Sequence, residues 1–278
     1  MTWLDALILG IIQGLSEYLP ISSSGHLEIF KQVLGVTLDP DASLEFSIML
    51  HVATVLSTIV VLWKEFYPLL VSFLTVKRDN NFYYVCKILL SCIPVGIVGV
   101  LFEKNVEEFF KGNLMVVGVC LIVTALLLCF AYFTRTRPAL LNPRSPQGRE
   151  ISWLDALVIG FAQAIAVLPG LSRSGTTIAT GILLGDNRER VAQFSFLMVI
   201  VPILGKGLLD LKDMIMPNVA AAADGASSIG MAPIVIGFLA SFIVGCIACR
   251  WMLSIIKKGK LVYFAIYCAA VGLLCICW

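Results

Sequence analysis

Charged side chains are scarce in this sequence. They make up 14% of its 278 residues, whereas a soluble domain carries about 25%. Hydrophobic residues account for 59% and the mean hydropathy is +0.94, so the chain lacks the polar surface that a water-soluble fold needs. A formal net charge of only +2 argues against nucleic acid or another polyanion as a partner.

Two further features are missing. No basic segment precedes the first apolar stretch, because the first basic residue is Lys31. We therefore expect a mature N-terminus and no cleaved signal peptide. The nine cysteines lie almost entirely within apolar segments, and Cys246 and Cys249 have a CxxC spacing without a second pair nearby. We interpret all nine as small buried apolar residues, without metal or disulfide roles.

Apolar segments of bilayer length recur along the chain. A helix needs about 20 apolar residues to cross the hydrocarbon. The candidates are Leu114–Phe133, which has no charged residue, and Phe46–Trp63, Val85–Phe102, Val191–Leu209, Ala232–Leu253 and Leu261–Trp278. The sequence therefore predicts an all-α polytopic membrane protein surrounded by membrane lipids.

The chain repeats itself at an offset of 150 residues. WLDALILGIIQ begins at Trp3 and aligns with WLDALVIGFAQ, which begins at Trp153. Two apolar segments would not share tryptophan, aspartate, glutamine, serine and glycine by chance. The pairs include Gln13/Gln163, Ser22/Ser172, Ser24/Ser174 and Gly25/Gly175. We interpret this as a duplication, with a first repeat at 1–141, a linker at 142–150 and a second repeat at 151–278.

Each repeat opens with a helix, a break and a second helical arm. The breaks are PISSSG at 20–25 and PGLSRSG at 169–175. Neither arm alone crosses about 30 Å of hydrocarbon, so we predict re-entrant hairpins at 3–34 and 153–184. Three transmembrane helices would follow in each repeat. Because three is odd, the second repeat must enter the membrane upside down, which is an inverted-topology repeat.

Lysine and arginine are distributed unevenly between the predicted loops. One side collects most of them, including the linker, whereas the other has little beyond Lys31, Lys104, Lys111 and Lys212. The positive-inside rule makes the basic side cytoplasmic. Both termini and the mouth of the first hairpin would then lie outside.

Polar side chains at membrane depth are costly and are candidates for function. The first loop brings Glu17, three hydroxyls and His26 within ten residues. The second places Arg173 among four hydroxyls at a helix start, where backbone N–H groups and the guanidinium favour phosphate. Taken alone, the serines are ordinary helix caps, and Arg173 could simply neutralise Glu17. The repeat brings both loops to one place, which favours phosphoryl chemistry.

The two loops resemble the bacterial undecaprenyl-diphosphate phosphatase family associated with bacitracin resistance. The family motifs [EQ]xxxE running into PxSSxGH, and PGxSRSxxT, stand here at 13–17, 20–26 and 169–177. The resemblance covers the whole chain. It implies a bacterial plasma-membrane enzyme that removes the terminal phosphate of a C55 polyprenyl diphosphate lipid. It also implies a divalent cation, Mg²⁺ or Ca²⁺, and a site open to the outer face; a homodimer is left open.

The resemblance assigns roles by motif position. Glu17 would bind metal or act as a base, and Arg173 would hold the diphosphate. Ser23 or His26 would be the nucleophile or the proton-transfer group. Glu17 and Gln13 are the predicted metal ligands. The predicted substrate-binding residues are Ser22, Ser24, Gly25, Gln163, Ser172, Ser174 and Thr177.

Two positions depart from the family pattern. Gln13 stands where many relatives have glutamate, so weaker or differently tuned cation binding is expected. Ser47 stands where an acidic residue is common, and Glu45 is a candidate substitute. His51, a lone histidine in the first span, is interpreted mainly as structural.

A lipid flippase or transporter is the rival function, because inverted repeats with broken helices are also typical of transporters. The glutamate, serine and histidine beside the SRS motif exceed what substrate binding requires. They favour the enzyme.

Overall fold

The computed structural model describes residues 1–110, 113–135, 148–215 and 229–277. Within these ranges the regular elements are α-helices, with one isolated backbone bridge between Arg149 and Asp186. The helices are α1 (Trp3–Ser16), α2 (Ser23–Val33), α3 (Pro40–Val61), α4 (Trp63–Leu74), α5 (Asn80–Phe110), α6 (Leu114–Arg135), α7 (Trp153–Ile165), α8 (Arg173–Leu184), α9 (Arg188–Met198), α10 (Ile200–Ile215), α11 (Met231–Lys257) and α12 (Val262–Cys277). The all-α prediction is confirmed for this part of the chain.

Five of the described helical stretches are long and apolar enough to cross a membrane. Large apolar side chains on α6 point outwards, with Leu126, Phe130 and Phe133 62–65% exposed, as a lipid-facing surface would have them. The five stretches are Ala42–Val61, Asn80–Gly99, Leu114–Thr134, Arg188–Gly207 and Met231–Lys257. The chain is a multi-pass membrane protein.

Two predicted spans differ from the observed helices. The predicted Val191–Leu209 span is interrupted between α9 and α10. Pro202 has no N–H to offer the carbonyl of Met198, which accepts a bond from the Cys92 thiol at 3.4 Å instead. The predicted Leu261–Trp278 span corresponds to α12, whose 16 residues make it one of the shorter apolar helices.

The predicted linker at 142–150 lies mostly outside the described residues, since 142–147 are not among them. Arg149 is described, and it lies beside the end of α8. Its Nη2 donates to Asp155 Oδ1 at 2.6 Å and its Nε to Asp186 Oδ1 at 3.2 Å. The start of the second repeat is therefore tied to the end of its own hairpin.

Both repeats open with the same helix, break and helix. Thr2 and Asp5 form a capping box at the start of α1, and Ser152 and Asp155 form the same box at α7. Helices α1 and α2 have 14 and 11 residues, and α7 and α8 have 13 and 12. At about 1.5 Å per residue, none reaches the roughly 30 Å of a bilayer core. The prediction of two broken segments is confirmed.

Packing between the repeats is reciprocal. Helix α1 lies along α11, α7 lies along α5, and α6 lies along α12. A Cβ on Gly14 would lie 2.6 Å from the carbonyl oxygen of Ser241, and one on Gly160 would lie 2.8 Å from the Cα of Ser91. Glycine is required at both crossings because the backbones approach so closely. Each hairpin therefore packs on a long helix of the other repeat.

Candidate active site

The breaks of the two hairpins are in contact. Ser174 Oγ donates to the carbonyl of Leu19 at 3.2 Å. A Cβ on Gly175 would lie 3.1 Å from the Cβ of Pro20, so a larger residue would push the loops apart. The repeat thus brings together segments about 150 residues apart in sequence, as predicted.

A cavity of about 310 Å³ opens where the two breaks meet. Its polar wall comes from both breaks and from the neighbouring helices, whereas Leu44, Ile48 and Ile203 supply apolar surface. The predicted site residues among its lining are Glu17, Ser22, Ser23, Ser24, Gln163, Ser172, Arg173 and Ser174. This combination of polar and apolar walls suits a ligand with an anionic head and a hydrocarbon tail.

Glu17 is the centre of the polar wall. Its Oε1 accepts a hydrogen bond from the Arg173 guanidinium, which also forms an ion pair with it. Its Oε2 accepts from Ser23 Oγ and from Gln13 Nε2, both at 2.8 Å. His51 Nε2 lies 3.6 Å from the same oxygen. The Glu17 side chain is 6% exposed, so these partners supply most of its polar contacts.

Two helix N-termini face this carboxylate. Ser23 is the first residue of α2 and Arg173 the first of α8. Ser22 Oγ accepts from Gly25 N–H at 3.3 Å and Ser172 Oγ from Gly175 N–H at 3.0 Å, which completes the caps. The helix dipoles and the guanidinium place partial and full positive charge where an anion would bind.

His26 does not adopt the predicted pairing with Ser23. Its Nδ1 lies 2.9 Å from the carbonyl oxygen of Ser22, and its Nε2 lies 2.8 Å from the hydroxyl of Tyr267. The Ser23 hydroxyl donates to Glu17 instead. The predicted activation of Ser23 by His26 therefore lacks the contact that it needs: the ring contacts Tyr267 on α12, and Glu17 is the carboxylate that accepts from Ser23.

Thr177 and Gly25 also differ from a simple phosphate-contacting role. The Thr177 hydroxyl lies 2.6 Å from Ser195 Oγ and donates to the Arg173 carbonyl at 2.8 Å, so it is engaged in helix packing. A Cβ on Gly25 would lie 3.2 Å from the Cα of Gly170, and this glycine therefore serves the contact between the loops. Neither residue lines the described cavity.

Buried amide groups near the cavity have no hydrogen-bond partner among the described residues. Both side-chain polar atoms of Gln163, which lines the cavity and is 1% exposed, are in this state. The Oε1 atom of Gln13 also has no hydrogen-bond partner among the described residues. An unpaired buried polar group costs free energy, so these atoms are ready acceptors and donors for a ligand.

Three lining residues were missed or underrated by the sequence analysis. His51 was assigned a mainly structural role, yet it lies beside Glu17. Ser47 and Lys206 also line the cavity. Lys206 had a usable signal, since a lysine inside a predicted span is itself a functional candidate. It brings a second positive charge to a wall on which Glu17 is the one carboxylate among the described lining residues.

The fold and this cavity define a class of protein: a multi-pass membrane protein with a polar cavity where the breaks of two helix pairs meet. The family model described as "Bacitracin resistance protein BacA" matches residues 6–274. The undecaprenyl-diphosphatase of Parabacteroides distasonis is 51% identical over 276 residues, covering 99% of this chain and 98% of the relative. That of Bacteroides fragilis is 52% identical with the same coverage, and that of Christiangramia forsetii is 45% identical over 269 residues, or 97% and 95%. The chain belongs to the BacA family.

Proposed function

We propose that this chain is an integral membrane phosphatase that hydrolyses undecaprenyl diphosphate to undecaprenyl phosphate and phosphate, which recycles the lipid carrier for cell-wall synthesis. One observation carries the proposal. Ser23 and Arg173, which follow breaks in different repeats, both donate hydrogen bonds to Glu17 at the wall of one cavity. The names of these relatives supply the substrate and the reaction class. None of these names is that of a transporter, so the flippase is not carried further.

The inverted-topology repeat and the re-entrant hairpins belong to this proposal. Reciprocal packing supports the inverted-topology repeat. Gly14 meets Ser241 and Gly160 meets Ser91, and the two serines, like the two glycines, are about 150 residues apart. Gly118 and Gly272 add a second reciprocal contact, since a Cβ on either would lie under 3 Å from the other's carbonyl oxygen. The re-entrant hairpins are supported by the length of their helices, 11–14 residues, and by the packing of these helices on protein.

In the proposed complex, the lipid tail follows the apolar wall and the diphosphate occupies the polar end. Arg173 and Lys206 would face the phosphate oxygens, and the guanidinium fork would hold two of them at once. In the structure Arg173 is paired with Glu17. A phosphate that takes over one side of the guanidinium would leave Glu17 with the Ser23 hydroxyl.

The chemical step then follows from the hydrogen bonds already formed. Ser23 Oγ attacks the outer phosphorus, its proton passes to Glu17 Oε2, and the bond from that phosphorus to the bridging oxygen breaks. The bridging oxygen leaves with undecaprenyl phosphate and takes the proton from Glu17, which is ionised again. Water then attacks the phosphoserine and gives a proton to Glu17. The bond from phosphorus to Ser23 Oγ breaks, Ser23 Oγ takes that proton, and phosphate is released. Positioning and charge stabilisation supply most of the acceleration in such reactions.

The implied divalent cation fits the donor set in part. The described residues contain no group of three or more His, Cys, Asp or Glu that could hold a metal ion. Glu17 and the carbonyl oxygens of Gln13 and Gln163 would be its ligands, and hard cations accept such oxygens. A site with one carboxylate suits a cation that binds together with substrate phosphates, as Mg²⁺ commonly does. When bound, it would neutralise charge on the phosphates.

We also infer the orientation. The basic loops support a protein of the bacterial plasma membrane. In this orientation the site opens to the extracytoplasmic side and both termini lie outside. Among the described basic residues, Arg149 and Lys257 lie on the predicted cytoplasmic side together with Glu189, which pairs with Lys257 at 2.6 Å. Cysteine accessibility in whole cells would test this orientation. Labelling of Lys257→Cys by a membrane-impermeant thiol reagent added outside the cell would contradict it.

Phosphate release from undecaprenyl diphosphate by the purified chain in detergent tests the proposed function. Wild-type protein should release phosphate, less so with EDTA, and Glu17→Ala should release about as little as buffer. No release from monodisperse wild-type protein with added Mg²⁺ or Ca²⁺ would overturn the proposal. The alternative to this covalent route is direct attack on the outer phosphorus by a water that Glu17 activates. A rapid-quench experiment separates the two: phosphoserine at Ser23 supports the covalent route, and its absence during normal release supports direct attack by water.

A further inference from the structure

Ser22 has an unusual backbone conformation. Its φ is 71° and its ψ is 99°, and among the described residues Val76 is the only other non-glycine with positive φ. Side chains other than glycine rarely adopt this region, and such strain persists where surrounding structure holds it in place. Ser22 directly precedes Ser23, so its backbone sets the direction in which the Ser23 hydroxyl points.

His26 holds the carbonyl of Ser22. A carbonyl can only accept, so the imidazole Nδ1 must carry the hydrogen in the 2.9 Å contact. In the neutral ring Nε2 is then an acceptor, and the Tyr267 hydroxyl donates to it at 2.8 Å. The two rings are also stacked, with centroids 5.6 Å apart and planes inclined by 16°. The Ser22 carbonyl therefore fixes the tautomer of His26, and Tyr267 on α12 fixes the orientation of its ring.

The second loop provides an internal comparison. Ser172, the counterpart of Ser22, has φ −69° and ψ 114°, which is ordinary extended backbone. Thr176 occupies the place of His26, and its hydroxyl is buried without a hydrogen-bond partner among the described residues. The ring and its tyrosine therefore accompany the strained serine and are absent from the relaxed copy.

We propose that Tyr267 and His26 are positioning residues that hold the Ser22 backbone and thereby aim Ser23 at Glu17. Neither residue exchanges a proton with the substrate. The structure assigns this role because the chain of contacts runs from Tyr267 to His26 to the Ser22 carbonyl, and the Ser23–Glu17 bond lies on the far side of that carbonyl. This inference rests on the proposed phosphatase activity.

The test compares variants that keep or remove each bond. Tyr267→Phe deletes one hydrogen bond and should lower kcat about two- to tenfold with little change in KM. His26→Asn keeps a donor near the Nδ1 position and should retain at least about ten times the activity of His26→Leu. Because no titration of His26 is used, wild type and His26→Asn should have the same pH profile of kcat.

Tyr263→Phe is the matched control, since this tyrosine lies one turn earlier on α12 and is 62% exposed. It should leave kcat and KM unchanged. Melting temperature and size-exclusion profile in detergent establish that each variant is folded. An unchanged KM for His26→Asn shows independently that the binding site is intact.

Three outcomes separate the possibilities. Tyr267→Phe with wild-type kcat would overturn the role of Tyr267. Folded His26→Asn that is as inactive as His26→Leu, or a pH limb that disappears in His26→Asn, would overturn the positioning role of His26 in favour of proton transfer. Wild-type protein without phosphatase activity would instead overturn the proposed function.

Discussion

The first and second hairpin loops share a frame and differ in chemistry. In each, a serine caps a helix by accepting from the N–H of a glycine three residues later. The next residue is Ser23 in one copy and Arg173 in the other, and the acidic Glu17 of the first loop corresponds to Val167 in the second. Both loops therefore keep a capped break between two helices, whereas the backbone at the capping serine and the side chains around it differ. In our account the first loop performs the bond exchange and the second holds the phosphates.

The largest effect is expected when the acidic character of the first loop is removed. Glu17→Gln keeps the shape of the side chain but takes away the base for Ser23 and the charge that faces Arg173. Phosphate release should fall by about 10²–10⁴-fold, the usual contribution of a general base. Steady-state phosphate assays in detergent measure this.

The control for that variant is Glu28→Gln, which removes the same charge from the same hairpin. Glu28 is 42% exposed and pairs with Lys31 outside the cavity, and such surface pairs contribute little. It should have wild-type activity. Equal losses in both variants would mean that net charge, and not the position of Glu17, matters.

An intermediate effect should follow from making the first loop more acidic. Gln13→Glu places a second carboxylate where an amide now donates to Glu17 at 2.8 Å. Without cation, the like charges should lower the melting temperature. With it, the added ligand charge should reduce the Mg²⁺ or Ca²⁺ concentration for half-maximal activity roughly fivefold to tenfold.

The melting temperature provides a readout that is separate from turnover in this variant. Cation should raise it more in Gln13→Glu than in wild type. The same cation response in both proteins would contradict a metal site at Gln13 and Glu17.

A smaller effect concerns the charge cluster of Arg149, Asp155 and Asp186 beside the second loop. Burial, and secondly the nearby Asp155, raise the pKa of Asp186 to about 7, although Arg149 acts in the opposite direction. Between the ordinary pKa of 3.8 and about 7, the folded chain keeps a proton that the unfolded chain has released. Stability from neutral Asp186 is therefore present at low pH and is lost as the pH rises through this window.

Asp186→Asn is neutral at every pH and should lose this part of the pH dependence. Its melting temperature, measured from pH 4 to 8, should fall less towards pH 8 than that of wild type. Asp39→Asn, at an exposed carboxylate, should keep the wild-type slope. An unchanged slope in Asp186→Asn would show that Arg149 keeps Asp186 ionised throughout.

The smallest effect is expected at the counterpart of His26. Thr176→Val removes a buried hydroxyl that has no hydrogen-bond partner among the described residues and keeps the side-chain volume. Activity should stay within about twofold of wild type, since no bond is lost. A large loss, comparable with that of His26→Leu, would show that the second loop also needs a group at this position.

Much of the fold follows from local sequence. The duplicated caps, the proline and glycine breaks and the apolar run at Leu114 each act within a few residues, so their pattern predicts the helices well. The contact between the breaks also followed from the internal repeat, which predicted that the two loops lie together. The interruption beside Pro202 was not predicted, since its apolar surroundings look like one continuous span.

The residues that line the cavity were predictable in part, and the directions of their side chains less so. Glu17, Ser23 and Arg173 carry their own signal as polar residues at membrane depth. The direction of the His26 ring depends on Tyr267, 241 residues away, and no local pattern encodes such a contact. The cavity position of Lys206 likewise depends on how α10 continues after the break.

The division of labour between the loops is tested most directly by measuring binding and turnover together for Ser23→Ala and Arg173→Ala. Binding would be measured with a polyprenyl methylenediphosphonate, in which a carbon replaces the scissile bridging oxygen. The account predicts that Ser23→Ala binds it about as tightly as wild type but releases almost no phosphate, whereas Arg173→Ala loses most of the binding. Normal turnover by Ser23→Ala, or undiminished binding by Arg173→Ala, would contradict it.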